Sequence, residues 1–182
     1  MSLPPATDRL RNPQGLPDML LYRLNRVRAV GGGRVLRYCE GRFGITRREW
    51  VVIALLQNAA AMTSSELAAR AELDKSATSK AVGGLVKKGL VSRTLRPADR
   101  RYIGLSLTES GRSLYAQVLP LVREVNRDLM STLSDAEIDL LDGLLERIQA
   151  RAAEMQDAGP ALPLADRRHG GSARTGPAGG GR

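Results

Sequence analysis

The most strongly charged stretch of the 182-residue sequence runs from residue 74 to residue 101, DKSATSKAVGGLVKKGLVSRTLRPADRR. It contains all four lysines of the chain and four of its arginines, against two aspartates. The whole chain has a formal net charge of +9 and a sequence pI near 10.5. Ammonium and guanidinium groups at this density neutralise phosphates, so the stretch predicts a polyanionic partner, either nucleic acid or an acidic membrane surface.

Few other side chains in the sequence could carry out chemistry. The single cysteine, Cys39, excludes an intramolecular disulfide framework and a zinc site built from several cysteines. The single histidine, His169, lies in a low-complexity tail, which argues against a histidine base or a histidine-ligated metal. The sequence therefore predicts neither an enzyme nor a bound cofactor.

The sequence shows no targeting or membrane-spanning pattern. Its first residues, MSLPPATDRL, lack the apolar region of a signal peptide, and no apolar run approaches the ~20 residues that span a bilayer. We therefore expect a soluble, cytoplasmic protein without a membrane partner, and nucleic acid becomes the favoured polyanion.

Helix-capping signals predict three short helices between residues 46 and 89. The tetrads TRRE at 46–49 and TSSE at 63–66 fit capping boxes, in which threonine and glutamate side chains satisfy free amides at a helix start. Asp74 is a suitable N-cap for the third helix, which we expect to end at Gly89. The short connections between these helices indicate a helix-turn-helix unit.

After Gly89 the apolar pattern changes from a helical period to alternation. Residues 91–95 and 103–107 alternate between apolar and polar types, with a turn-forming segment over 96–101. A β-hairpin directly after a helix-turn-helix is the arrangement of a winged helix, which we place at about residues 46–108. The predicted fold class is mainly α (α+β).

Long amphipathic helices are predicted on both sides of this lobe, at about residues 16–40 and 108–153. Residues 31–33 are three glycines, so the first helix either bends or breaks there or packs closely against a neighbouring element. Residues 1–15 predict a flexible arm. The Gly-, Pro- and Arg-rich residues 157–182 predict a disordered tail.

The helix that follows Asp74 is predicted to have a buried and an exposed face. At about 100° per residue, the side chains of Thr78, Ala81, Val82 and Leu85 fall on one side, and the other side is small, hydroxylated and basic. Serine and lysine can bond base edges or phosphates in a major groove. A solvated basic face on an ordinary amphipathic helix is the alternative, which the adjoining basic hairpin disfavours.

The predicted DNA contacts come from this exposed face and from the hairpin. Asp99 and Arg101 are two residues apart, so on an extended strand their side chains can pair and aim the arginine at a minor groove. An exposed turn salt bridge of little energetic value is the alternative. The full set of predicted contacts is Ser76, Ala77, Ser79, Lys80, Lys87, Arg93, Asp99, Arg100 and Arg101.

The order and spacing of six segments resemble the MarR family of bacterial winged-helix regulators, over about residues 16–153. The segments are ITRREW at 45–50, SELA at 65–68, DKSATSK at 74–80, KGLV at 88–91, PADRR at 97–101 and LSLTESGR at 105–112. The resemblance implies an obligate homodimer, held together by the first and last two helices, that binds an imperfect inverted repeat in double-stranded DNA. It also implies that Arg101 enters the minor groove, and that a small aromatic or phenolic acid relieves repression of nearby genes.

Six residues lie where the resemblance places the effector pocket, namely Tyr22, Arg23, Arg26, Trp50, Arg112 and Tyr115. An arginine beside aromatic rings suits an aromatic carboxylate, or its thioester. For Trp50 and Tyr22 the simpler interpretation is a place in the core.

Two other functions stay open at this point. The chain could be an architectural DNA-binding protein whose wing, lysines and arginine-rich tail coat phosphates without reading sequence. It could also be a redox-sensing regulator acting through Cys39, because one branch of the resembled family senses peroxides through a cysteine. That cysteine lies near the start of the first helix, whereas Cys39 lies near its end, which favours a buried thiol.

Overall fold

Residues 6–96 and 99–157 form a mainly helical structure with one small antiparallel sheet. A computed structural model describes the backbone of these residues and the side chains of residues 9–94 and 103–155. The elements are α1 (Ala6–Arg11), α2 (Leu20–Arg37), α3 (Arg47–Gln57), α4 (Ser64–Ala71), α5 (Lys75–Lys87), β1 (Val91–Arg96), β2 (Asp99–Leu107), α6 (Glu109–Met130) and α7 (Asp135–Asp157). A 3₁₀ turn, Leu16–Asp18, precedes α2, and a wider π-helical turn, Tyr38–Arg42, extends it. The predicted mainly α fold with a winged helix is confirmed.

The two predicted capping boxes begin α3 and α4. At α3 the Glu49 amide donates to Thr46 Oγ1 at 3.1 Å, and the Thr46 amide donates to Glu49 Oε2 at 2.6 Å. The same reciprocal pair joins Thr63 and Glu66 at the start of α4, at 3.2 and 2.7 Å. Because each box satisfies amides that have no partner within the helix, both helices begin where the sequence predicts.

Local side-chain and backbone signals also set the ends of α5 and the start of α6. The Ala77 amide donates to Asp74 Oδ1 at 2.7 Å, and the Gly111 amide donates to Thr108 Oγ1 at 3.0 Å. Gly89 ends α5 with φ of +68°, a conformation that glycine adopts without steric cost. The predicted bounds of α5 are thereby confirmed.

The core of the winged-helix lobe lies between α3, α4, α5 and the sheet. Its fully buried aliphatic side chains include Ile53, Leu56, Leu67, Leu85 and Leu105. Met62, in the loop between α3 and α4, forms an isolated bridge with Leu105 through two backbone hydrogen bonds, at 3.0 and 2.8 Å. These two hydrogen bonds attach the loop to β2 of the wing, as one residue of a further strand would be.

The wing is an antiparallel pair of strands in which Val91 lies opposite Leu107 and Leu95 opposite Ile103. The register shifts after Leu95, so Arg96 lies opposite Asp99. The predicted strands at 91–95 and 103–107 are confirmed. The predicted turn over 96–101 is wrong in extent, because Arg96 and residues 99–101 belong to strands; residues 97–98 lie outside the described residues.

α2 runs without interruption through the three glycines at 31–33. A Cβ atom at Gly31 would lie 3.2 Å from Leu129 Cδ2 on α6, and one at Gly32 would lie 3.3 Å from Arg47 Nη1. Of the two alternatives predicted for this segment, close packing is therefore found and a break is not. The missing side chains let α6 approach α2.

The ends of the chain differ in part from their predicted form. α1 occupies Ala6–Arg11 inside the segment that the sequence predicts as a flexible arm. α7 continues to Asp157, past the predicted end at 153, and the rest of the predicted disordered tail lies outside the described residues. Within the described ranges, no helix is both long enough and apolar enough to cross a membrane.

Candidate nucleic-acid interface

α5 presents one face to the core of the lobe. The buried side chains on that face are Thr78, Ala81, Val82 and Leu85, none more than 5% exposed. Thr78 Oγ1 donates to the Asp74 carbonyl oxygen at 2.9 Å, which satisfies the hydroxyl inside the lobe. The predicted inner face is confirmed, and Thr78 is a core residue and not a DNA contact.

The opposite face of α5 carries exposed hydroxyl and ammonium groups, on Ser76, Ser79, Lys80 and Lys87, with Ala77 half-buried at its edge. Among the side chains that the structure describes, no carboxylate forms an ion pair with Lys75, Lys80 or Lys87. The first turn of α5 adds the partial positive charge of a helix N-terminus. This face therefore offers hydrogen-bond donors and unneutralised positive charge to an anionic partner.

The wing follows α5 after Gly89 and is the second predicted contact. Arg93 is exposed on β1. Asp99, Arg100 and Arg101 open β2, but their side chains lie outside the described residues. Their roles stay predictions.

Lys88 differs from the other three lysines because it is paired inside the protein. Its Nζ lies 2.7 Å from Oε2 of Glu49, whose side chain is 5% exposed. Sequence reasoning assigned Glu49 to the capping box alone and gave Lys88 no separate role. The signal was present in the spacing, since Lys88 stands seven positions after the buried Ala81, on the inner side of the helix.

Gly84 lies where α5 approaches Glu49. A Cβ atom at this position would overlap the Glu49 carboxylate oxygen Oε1, whereas a Cβ atom at Gly83 would meet nothing within 4 Å. The absence of a side chain at Gly84 therefore makes room for the Glu49 carboxylate between α3 and α5.

Three of the six predicted ligand residues lie near the packed junction of α3, β2 and α6. The rings of Trp50 and Tyr115 stack with centroids 5.5 Å apart and 15° between their planes, and Trp50 is 7% exposed. Arg112 donates to the Leu107 carbonyl oxygen at 3.0 Å and pairs with Glu109 at 3.4 Å. Trp50 and Tyr115 are therefore part of the internal packing of the chain, whereas Arg112 is exposed and bonded to its own surroundings.

The other three predicted ligand residues lie on α2. Tyr22 is half-buried, and Arg23 and Arg26 line a shallow cleft of about 470 Å³ beside Leu129. The structure thus places Arg23 and Arg26 at a different cleft from Trp50.

A larger open cleft of about 830 Å³ lies between α2, α3 and the start of α5. Trp50 lines it together with three arginines that sequence reasoning missed, Arg28, Arg47 and Arg48. Asp74 and Ala77 also line it, so the cleft reaches the first turn of the recognition helix. No pattern in the sequence distinguishes these arginines from the many others; only the folded chain brings them together.

Cys39 is fully buried. Burial raises the pKa of its thiol above the ordinary value, Glu40 raises it further, and Arg47 opposes the rise. Since the thiolate is the reactive form, this environment disfavours oxidation. In the parts of the chain that the structure describes, no cluster of three or more His, Cys, Asp or Glu residues could hold a metal ion.

The chain is similar in sequence to known regulators. Residues 43–101 match the MarR family model. A protein of Thauera aromatica, whose name assigns it to regulation of the hcr operon, is 32% identical over 133 residues, covering 73% of this chain and 80% of that protein. The multiple antibiotic resistance protein MarR of Escherichia coli (strain K12) is 30% identical over 116 residues, covering 63% of this chain and 81% of that protein.

The fold is similar to solved structures as well. The crystal structure of CouR from Rhodococcus jostii RHA1, bound to p-coumaroyl-CoA, matches with a TM-score of 0.62 and 27% identity, covering 82% of this chain and 98% of that chain. The family matched is one of transcriptional regulators, which confirms the prediction that the chain is not an enzyme.

Proposed function

Because the chain belongs to the MarR family of transcriptional regulators, we propose that it acts as a homodimeric, cytoplasmic repressor of nearby genes. It binds an inverted-repeat operator in double-stranded DNA, and a small aromatic or phenolic acid, or its thioester, releases it. The observation that carries the proposal is the division of α5 into a buried apolar face and an exposed face of serines and unpaired lysines. A recognition helix needs both faces, because its apolar face packs on the rest of the lobe while its polar face enters the major groove.

The assignment of DNA contacts extends from α5 to the wing. Lys80 and Lys87 are exposed cations on α5, and Arg93 is an exposed cation on β1. Arg101 acts as the minor-groove residue and Asp99 holds it in place, as the resemblance implies. Base edges are read by Ser76, Ser79 and Lys80, while the remaining cations neutralise phosphates.

The proposed dimer rests on the unburied apolar faces of α2 and α7. Within one chain, α2 has no buried residue. Its apolar side chains are largely exposed: Leu21 and Val30 are each 79% exposed, and Val27 is 59% exposed. On α7, Leu140 is 63% exposed and Ile148 is 40% exposed. Soluble proteins seldom leave such contiguous apolar surface in water, and a second copy of the same helices would cover it.

The proposed effector site is the larger cleft, because its lining suits an aromatic anion. Arg28, Arg47 and Arg48 supply guanidinium groups for a carboxylate, and Val27 and Val35 supply apolar surface for an aromatic ring. An occupant would contact α2 on one side and the first turn of α5 on the other, and could therefore shift the recognition helix relative to the dimerisation helices. The CouR complex with p-coumaroyl-CoA supports a thioester as one class of occupant.

Competition for DNA tests the regulator against the architectural alternative. Labelled duplex from the region upstream of the chain's own gene is bound at about 0.15 M salt and challenged with unlabelled copies of itself or with random duplex. We expect the upstream duplex to compete at least ~10³-fold better than random duplex, the usual margin of a specific binder. Equal competition would support the architectural protein instead.

Thermal-shift screening tests the effector. Aromatic acids and their coenzyme A thioesters are added to the protein, and a ligand that raises the melting temperature is then tested for release of the upstream duplex. We expect Arg48→Met to abolish both responses and Arg26→Met, in the smaller cleft on α2, to keep them. The reverse result would assign the effector to the smaller cleft, which contains part of the ligand set predicted from the sequence.

A further inference from the structure

The carboxylate of Glu49 is nearly excluded from solvent and lies between two helices of the lobe. Its side chain is 5% exposed. It accepts the Thr46 amide at 2.6 Å within α3 and pairs with Lys88 Nζ at 2.7 Å at the end of α5. One side chain thus connects the start of α3 to the end of the recognition helix.

The packing around this carboxylate leaves it little freedom. The Glu49 carboxylate lies against the backbone of Gly84. It occupies the space that the Cβ atom of any other residue at this position would need. Lys88 keeps 37% of its side chain exposed, while its ammonium group pairs with the Glu49 carboxylate. Removing Lys88 would leave the Glu49 carboxylate, which is 5% exposed, without its counter-ion, and this costs far more than the loss of an exposed ion pair.

The neighbouring Lys87 shows the contrast. It is exposed, and within the described side chains it forms no ion pair. Lys87 and Lys88 are adjacent and identical in type, yet only Lys87 is free to contact a phosphate. The sequence alone counts both as part of one basic stretch.

We infer that Glu49 is a positioning residue for DNA binding: paired with Lys88, it fixes the end of α5 against α3 and so sets the angle at which α5 meets the groove. Lys88 lies on the side of α5 that faces α3, where it pairs with Glu49, and it neutralises no phosphate. The inference rests on the proposed function, since it takes α5 as the helix that enters DNA.

The adjacent lysines provide a matched test. Lys88→Met and Lys87→Met are each titrated onto the labelled upstream duplex at several salt concentrations. We expect Lys87→Met to reduce the slope of log affinity against log salt by about 0.9 for each protomer on the duplex, as the loss of one phosphate contact does. Lys88→Met should lower affinity by about two- to thirtyfold, the range for substitutions that act on a site without touching its ligand, and leave the slope unchanged.

Further variants separate positioning from a general loss of stability. Lys88→Arg keeps the ion pair and should restore most of the affinity lost in Lys88→Met. Glu49→Gln keeps an acceptor for the Thr46 amide but loses the charge, so it should weaken binding as Lys88→Met does. The double variant Glu49→Gln/Lys88→Met should bind no more weakly than Glu49→Gln alone, because both changes remove the same interaction.

Two results would overturn the inference, and a third would count against the proposed function instead. A reduced salt slope for Lys88→Met, with equal losses in the presence and absence of Glu49, would identify Lys88 as a phosphate contact and overturn the inference. Unchanged affinity in Lys88→Met, which substitutes a half-exposed residue and should fold, would also overturn it. Failure of the unsubstituted protein to prefer the upstream duplex would instead count against the proposed function.

Discussion

The hydroxyl of Thr108 donates a hydrogen bond to the carbonyl oxygen of Gly89, at 2.7 Å, and ties the start of α6 to the residue that ends the recognition helix. Thr108 Oγ1 also accepts the Gly111 amide at 3.0 Å and so caps α6. One side chain therefore joins the winged-helix lobe to α6 while it satisfies backbone groups on both sides.

Thr108→Val should lower the free energy of unfolding by about 1–2 kcal/mol, because it removes an N-cap and leaves the Gly89 carbonyl without its donor. Urea denaturation at a fixed protein concentration measures the change. Thr108→Ser keeps the hydroxyl and is the control. A valine variant as stable as the threonine protein would show that water replaces both hydrogen bonds.

Lys80→Met should weaken binding mainly to the upstream duplex and less to random duplex, because the ammonium group is proposed to contact a base edge. If the ammonium group contacts a phosphate instead, both duplexes should lose affinity and the salt slope should fall by about 0.9 for each bound protomer. Fluorescence anisotropy across a salt series distinguishes the two.

The control for this measurement is Arg151→Met, which removes a cation that pairs with Glu154 on α7 at 3.0 Å. It changes the net charge as Lys80→Met does, but not the α5 face. Equal effects of the two substitutions would show that net charge alone governs binding.

The adjacent glycines of α5 should respond to alanine in opposite directions. Gly83→Ala meets no neighbour within 4 Å and should stabilise the protein by up to about 1 kcal/mol through helix propensity. Gly84→Ala would overlap the Glu49 carboxylate and should destabilise it by about 1–3 kcal/mol. Thermal and urea denaturation of the pair give the comparison. Similar stability of both variants would mean that Glu49 moves aside at little cost.

Val30→Asp should convert the proposed dimer to a monomer, because a charge placed on the apolar face of α2 would be buried against the partner helices. Sedimentation or light scattering at several concentrations measures the state, and the circular dichroism spectrum shows whether the lobe stays folded. Ile103→Asp is the control, since Ile103 is an exposed apolar residue of the wing, at 44%, away from α2. Persistence of the dimer in Val30→Asp would exclude this face of α2 from the interface.

Hydrogen peroxide should leave DNA binding unchanged, because Cys39 is fully buried and its raised pKa keeps the thiol protonated at neutral pH. A thiol reagent should react slowly with the native protein and rapidly in urea. Fast reaction in the native state, with loss of DNA binding, would revive the redox alternative.

The features that the sequence predicted well are those determined by local chemistry. The capping boxes at Thr46 and Thr63 join residues three apart, so their geometry follows from helix periodicity alone. The buried face of α5 follows from the same periodicity. The strands of the wing follow from alternation, although they extend past the predicted bounds, with a register shift after Leu95.

The features that the sequence did not predict depend on contacts between distant residues. The continuity of α2 through residues 31–33 depends on how closely α6 approaches. Lys88 finds Glu49 only once α5 packs on α3. Trp50 was placed in a ligand set by resemblance, yet in this chain it stacks on Tyr115, and the arginines that line the larger cleft are ordinary members of an arginine-rich composition.

On the ribosome, α3, α4 and α5 are synthesised before Leu105, the residue with which Met62 pairs. Until β2 has emerged, water must solvate the backbone of Met62, and the apolar faces of the three helices lack the sheet that completes their core. Contacts this far apart in sequence form late, because a long loop must close first. The lobe therefore completes its fold only after the wing has left the exit tunnel, so a nascent chain arrested within the hairpin would carry the whole recognition helix without the scaffold that orients it.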